Sequence, residues 1–169
     1  MAFILTLAMI AIIYFGIKKY KKNRKSGSLS DVINTNYSDF DKNEYNLGGE
    51  TTNNDEQPYI NYYKKLNPYE AGIFDNLNAK KFKDSKAVNY IFYNNFPEKV
   101  TISQIENLVN KLVKVYGKDS NKKGLFTPED IDDINSDYWN GRKWDSTPKN
   151  PAVWFGSEEN GYSMTIWTT

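Results

Sequence analysis

Val88 to Gly117 reads VNYIFYNNFPEKVTISQIENLVNKLVKVYG, and its two halves have different periods. The first half, VNYIFYNNF, is β-branched and aromatic, has the length of one buried strand, and stops at Asn94, Asn95 and Pro97. It predicts a central strand. In the second half, Thr101 and Gln104 form a T-x-x-Q capping box, while Val100 and Ile105 stand where a hydrophobic staple closes a helix start. Ile102, Ile105, Leu108, Val109, Leu112 and Tyr116 then recur at helical spacing, giving one apolar face that a sheet can cover. Gly117 is placed to end the helix, with Lys111, Lys114 and Lys118 near the negative end of its dipole.

Downstream, Asp119 to Asp130 (DSNKKGLFTPED) resembles a calcium-binding EF-hand loop. Asp119, Asn121 and Asp130 would take its first, third and last positions, Gly124 the turn and Phe126 the apolar eighth position. The match covers one degenerate loop. Lys123 stands where a ligand belongs, and Asp130 is shorter than the usual bidentate Glu. The competing reading is a polar connection into a second helix, capped by Thr127, with Pro128 in the first turn and Glu129 and Asp130 at the positive dipole end. On that short helix Ile131 and Ile134 point inward, leaving Asp132 and Asp133 solvated.

The period then changes. Asn140-Gly141 lies between aromatic runs and predicts a type I′ hairpin. Alternation would put Asp137, Trp139, Arg142 and Trp144 on one face, with Tyr138 and Lys143 on the other. A guanidinium between two indoles with a carboxylate nearby is either a fixed structural cluster or a recognition patch. Trp and Arg are the residues most enriched at binding hot spots, which makes these four the candidate partner-binding residues. Pro151–Phe155 and Tyr162–Trp167 predict a second hairpin, with Tyr162, Met164 and Ile166 alternating against Ser163, Thr165 and Trp167.

Upstream the pattern is weaker. Between 61 and 87, a short helical stretch is expected around Tyr69 to Leu77, led by Asn67 and Pro68. The fold class is therefore α+β: one main helix packed on an antiparallel sheet of about four or five strands, spanning 61–169.

The chain begins differently. Residues 1–17, MAFILTLAMIAIIYFGI, carry no charged side chain and meet the lower limit of the roughly 17 to 25 apolar residues that cross a bilayer as a helix. Residues 18–25 follow with six positive charges, an arrangement that predicts a single-pass transmembrane helix contacting lipid through residues 1–25. Basic residues stay on the cytoplasmic side, so the C-terminal domain is expected there. A cleaved signal peptide would carry its basic residues before the apolar run instead. Residues 26–60 are rich in Asn, Ser, Thr and Gly, hold seven acids against one base, and read as a flexible acidic linker. Its aromatics Tyr37, Phe40 and Tyr45 could form a short docking motif or be incidental.

Composition narrows the function. With no His and no Cys, the usual nucleophiles and general bases are missing, along with disulfides, and no Gly-rich phosphate loop appears. No cofactor and no metal is expected. Charge runs from basic (12 bases, 6 acids over 61–123) to acidic (8 acids, 3 bases over 124–169), with a whole-chain net charge of +1, which disfavours nucleic acid. The expected function is a membrane-anchored, non-catalytic protein-interaction module with a protein partner. Two alternatives stand beside it: an immunity-type inhibitor that presents the acidic helix to a basic toxin cleft, and a carboxylate-dependent hydrolase built on Asp130, Asp132, Asp133 and Asp137.

Overall fold

The computed structural model describes residues 40–50, 57–66, 72–94, 99–158 and 161–168. The expected transmembrane helix, basic run and Tyr37 lie outside the described residues. Among those described, no helix is long and apolar enough to cross a membrane.

The domain is α+β, with one antiparallel sheet and two helices. Its strands are β1 (Asn46–Glu50), β2 (Tyr59–Lys65), β3 (Asn76–Phe82), β4 (Val88–Tyr93), β5 (Arg142–Trp144), β6 (Ala152–Glu158) and β7 (Gly161–Trp167). Helices α1 (Ile102–Tyr116) and α2 (Pro128–Asn135) lie between β4 and β5 in sequence. The sheet order is β1-β2-β3-β4-β7-β6-β5, which makes β4 the middle strand, as its composition predicts. Seven strands replace the four or five expected.

The strands that were not expected are β1, β2 and β3. β1 lies inside the segment read as a linker and pairs with β2, Leu47 opposite Tyr62 and Gly49 opposite Asn61, with a bulge between. Phe40 packs on both Tyr45 and Tyr62, with ring centroids 5.1 Å apart in each case, so the linker aromatics Phe40 and Tyr45 belong to the folded body. β3 (NLNAKKF) takes Asn76 and Leu77 into a strand where the expected helix would have ended. Its residues have poor strand preference, but pairing to β2 and β4 on both sides overrides that.

The strand register sorts side chains onto two faces. Leu77 and Ala79, Val88, Tyr90 and Phe92, Val153 and Phe155, and Met164 and Ile166 share the inner face. All are buried, in one cluster with Ile105, Leu108, Val109 and Leu112 of α1. Phe74 fills the centre, 5.9 Å from Phe92 and 6.1 Å from Phe155 between ring centroids. α1 starts as its capping box dictates: Thr101 N–H donates to Gln104 Oε1 at 2.9 Å, and Gln104 N–H to Thr101 Oγ1 at 3.3 Å. It ends at Gly117, whose φ of +82° suits glycine. α2 lies on this inner side too, because its Asp130 pairs with inner-face Arg142 and Ile134 packs on the core. The domain is thus two layers deep, and among the described residues no helix covers the outer face of the sheet.

Candidate recognition surfaces

The four predicted partner-binding residues separate in the structure. Trp139, Arg142 and Trp144 are buried, at 5%, 2% and 3% exposure, whereas Asp137 is exposed. The Asn140-Gly141 hairpin does not form. Residues 136–138 wind off the end of α2: Asp137 N–H donates to the Ile134 carbonyl and Tyr138 N–H to that of Asp133, so these donors cannot make a ladder. β5 pairs with β6, Arg142 opposite Phe155, instead of folding back on residues 137–139. Gly141 is required there for another reason: its φ is +77°, and a Cβ would stand 2.2 Å from the Phe155 carbonyl oxygen.

The burial of Arg142 has a specific electrostatic basis. Its Nη2 donates to Asp130 Oδ2 at 2.6 Å, Nε to Asp130 Oδ1 at 3.2 Å, and Nη1 to Asp119 Oδ2 at 2.6 Å. Trp139 Nε1–H also donates to Asp130 Oδ1, at 3.3 Å, while Thr127 N–H donates to Oδ2 at 2.9 Å. Asp119 Oδ1 accepts from Lys123 N–H at 2.9 Å. Burial by itself would raise the Asp130 carboxyl, but hydrogen bonds from Arg142, Thr127 and Trp139, with the guanidinium charge, hold it below the usual carboxylate range. Burial likewise opposes the Arg142 charge, and the two carboxylates reverse that, raising it.

This arrangement corrects two expectations. Asp130, grouped in sequence with Asp132, Asp133 and Asp137 as a set of carboxylates that a hydrolase could use, is fully buried and apart from them. The two end carboxylates of the EF-hand-like loop, Asp119 and Asp130, both bind a guanidinium in place of a cation, and no group of three candidate metal-ligating residues occurs among the described residues. The cluster is chemically suited to tying the 119–130 loop, α2 and β5 together. With both carboxylates ion-paired and inaccessible, neither is placed to act as a general acid or nucleophile on a substrate. A depression of about 200 Å³ nearby, lined by Tyr116, Ser120, Trp144 and Asp145, is smaller than the roughly 300 to 1,000 Å³ of ligand pockets.

The outer sheet face has a different chemistry, one that sequence reading missed because three of its strands were not recognised. Alternation assigns it Asn61 and Tyr63 of β2, Asn76, Asn78 and Lys80 of β3, Asn89, Ile91 and Tyr93 of β4, Trp154 of β6, and Thr165 and Trp167 of β7. Tyr63 is 43% exposed and Trp167 38%. Gly156 lies under the Trp154 ring: a Cβ there would meet Cζ2 at 2.5 Å and Cε2 at 3.0 Å. On the helical side, Tyr138 is 77% exposed beside exposed Asp132 and Asp137.

Among the described residues, the fold and these surfaces define a two-layer α+β domain with one sheet face not covered by a helix. Comparison with protein-family models, with characterised proteins and with solved structures gives no significant match.

Proposed function

We propose that the chain is a single-pass membrane protein whose small domain is a non-catalytic interaction module. In this reading residues 1–25 engage lipid, the domain faces the cytoplasm, and a partner protein is met by the outer face of the sheet. The observation that carries it is that face: aromatic and amide side chains from β2, β3, β4, β6 and β7, left without a helix over them among the described residues. Half-exposed Trp and Tyr, set among Asn side chains with a few charged residues beside them, have the aromatic enrichment of an interface. The Trp139, Arg142 and Trp144 cluster supports this module as internal structure.

A second reading, the immunity-type inhibitor, is favoured by one observation. Glu129, Asp132 and Asp137 are exposed on α2 and just after it, as is Tyr138, and an acidic surface of this kind would complement a basic cleft.

Photo-crosslinking in cells separates the two. With a photoreactive residue at Tyr63 or Trp167 of the full-length chain, the module reading expects a discrete protein adduct in the membrane fraction. Adducts arising only from position 138 would favour the inhibitor instead. Recovery of the chain in the soluble fraction after lysis would overturn the tether.

A further inference from the structure

The outer face carries a platform and a row of amides whose chemistry identifies a ligand. The platform is Trp154. Its indole lies over Gly156, where even a methyl group would come within 2.5 Å of the ring, so the strand has been left bare for the ring to lie along the sheet. The ring is half-buried, so part of it stays accessible on the outer face. Trp167 stands one strand over, diagonal to Trp154, because Trp154 is opposite Thr165 and Ala152 is opposite Trp167. A flat aromatic pair of this kind binds groups with a planar array of C–H bonds, whose positive edge meets the negative π face.

The amide row begins beside it. Trp167, Asn89, Lys80 and Asn61 lie in register across β7, β4, β3 and β2, a span of three strand spacings or about 14 Å. Asn61 Oδ1 and Asn89 Oδ1 are buried and have no hydrogen-bond partner among the described residues. A buried acceptor left without a donor is destabilising. Two in one row, on the one face that no described helix covers, indicate donors that arrive with a ligand. Neither oxygen is open to solvent, so a ligand's donors would reach them only after the two amide side chains rotate. Gly48, in the β1 bulge, lies close beside the far end, since a Cβ there would stand 3.2 Å from both Asn61 Nδ2 and the Asn61 carbonyl oxygen.

Charge then selects among donors. The face carries Lys65, Lys80 and Lys143, of which Lys80 sits over the Tyr59 ring at 5.0 Å and Lys143 is paired with Asp145 at 3.2 Å. Glu158 opposes them, accepting from Ser163 Oγ at 2.6 Å. A cationic ligand is repelled. A polyphosphate chain finds too few uncommitted cations to neutralise it. Neutral hydroxyls satisfy every condition.

We infer that the outer face binds a neutral oligosaccharide, its sugar rings stacking on Trp154 and Trp167 and its hydroxyls donating to the amides of Asn89 and Asn61. This rests on the reading of the outer face as the recognition surface and names the part of the partner that it grips. The chemistry is the same whichever side of the membrane the domain faces.

The test uses the full chain in a detergent without a sugar headgroup. Tryptophan emission is titrated with cellohexaose, maltohexaose, chitohexaose and, as the competing class, a single-stranded oligonucleotide of similar length. At least one hexasaccharide is expected to shift the emission saturably, with the affinity unchanged by added salt. Trp167→Ala and Asn89→Ala should each weaken that binding at least tenfold. Gly156→Ala, which lifts the Trp154 ring, should do the same, and Trp167→Ala, at a half-exposed position, keeps the test valid if the glycine variant unfolds. Circular dichroism checks that the variants remain folded. No response to any hexasaccharide, equal affinity in the folded variants, or salt-sensitive binding of the oligonucleotide alone would overturn the inference. If saccharides fail while position 63 or 167 still forms a protein adduct in cells, only the ligand class falls, and the interaction module stands.

Discussion

Arg142 and Asp130 form a fully interior ion pair, Nη2 to Oδ2 at 2.6 Å, with side-chain exposures of 1% and 0%. Asp119 completes the cluster from the other side of the guanidinium. Breaking such a pair from one side leaves an uncompensated buried charge, which costs more than the pair's net worth. Arg142→Met should therefore destabilise the domain by about 3 to 5 kcal/mol, read from the urea midpoint. The triple variant Asp119→Asn, Asp130→Asn, Arg142→Met should recover a large part of that loss. A single variant no less stable than the parent would show that the cluster is not structural.

Acid sensitivity follows from the same carboxylate. The folded-state pKa of Asp130 is depressed, so the unfolded chain binds the proton more readily than the folded one. Its contribution is fully present above the unfolded value of about 4, and is lost as pH falls through the lower folded value. Thermal unfolding of the parent should become steeply pH-dependent below about pH 4. Asp130→Asn should flatten that limb while lowering stability at neutral pH. A limb of unchanged steepness would assign it to other groups.

Gly141 gives a backbone prediction. Alanine there meets both the left-handed φ of +77° and the Phe155 carbonyl. Gly141→Ala should cost at least about 2 kcal/mol, more than the φ penalty alone commonly accounts for. Gly117→Ala, with φ of +82° but nothing within 4 Å of the added carbon, should cost less in the same denaturation assay.

The start of α1 is a milder case. Thr101→Ala removes the acceptor of the Gln104 N–H and half of the capping box, for an expected loss of about 1 kcal/mol by denaturation.

These residues show what could be read in the chain beforehand. The capped α1, the central β4, the Thr127-Pro128 start of α2 and the β6–β7 hairpin were legible because each signal is local: a cap, a period, a turn. β1, β2 and β3 were not: Asn, Gly and Lys give β1 and β3 little strand preference, and the Tyr-rich β2 begins inside the segment read as a linker. The Trp139-Arg142-Trp144 grouping was visible as a constellation, but not its location. That depended on Asp119 and Asp130, which the sequence offers only as the ends of a cation loop or, for Asp130, as the acidic start of a helix. One clue was available: an arginine between tryptophans, downstream of a loop with a carboxylate at each end, can serve as that loop's own cation. The outer face needed the full strand order before its amides and aromatics could be seen as one surface.

Hydroxyl-radical footprinting, resolved by residue, tests the central claim that recognition lies on the outer face and not on the Trp/Arg cluster. The full-length chain is compared in its native membranes and purified in detergent. Oxidation of Tyr63 and Trp167 should fall several-fold in the native membrane, that of Tyr138 should stay the same, and the buried Trp139 and Trp144 should be protected in both. Equal oxidation of Tyr63 and Trp167 in the two preparations, with protection appearing at Tyr138 instead, would contradict the account.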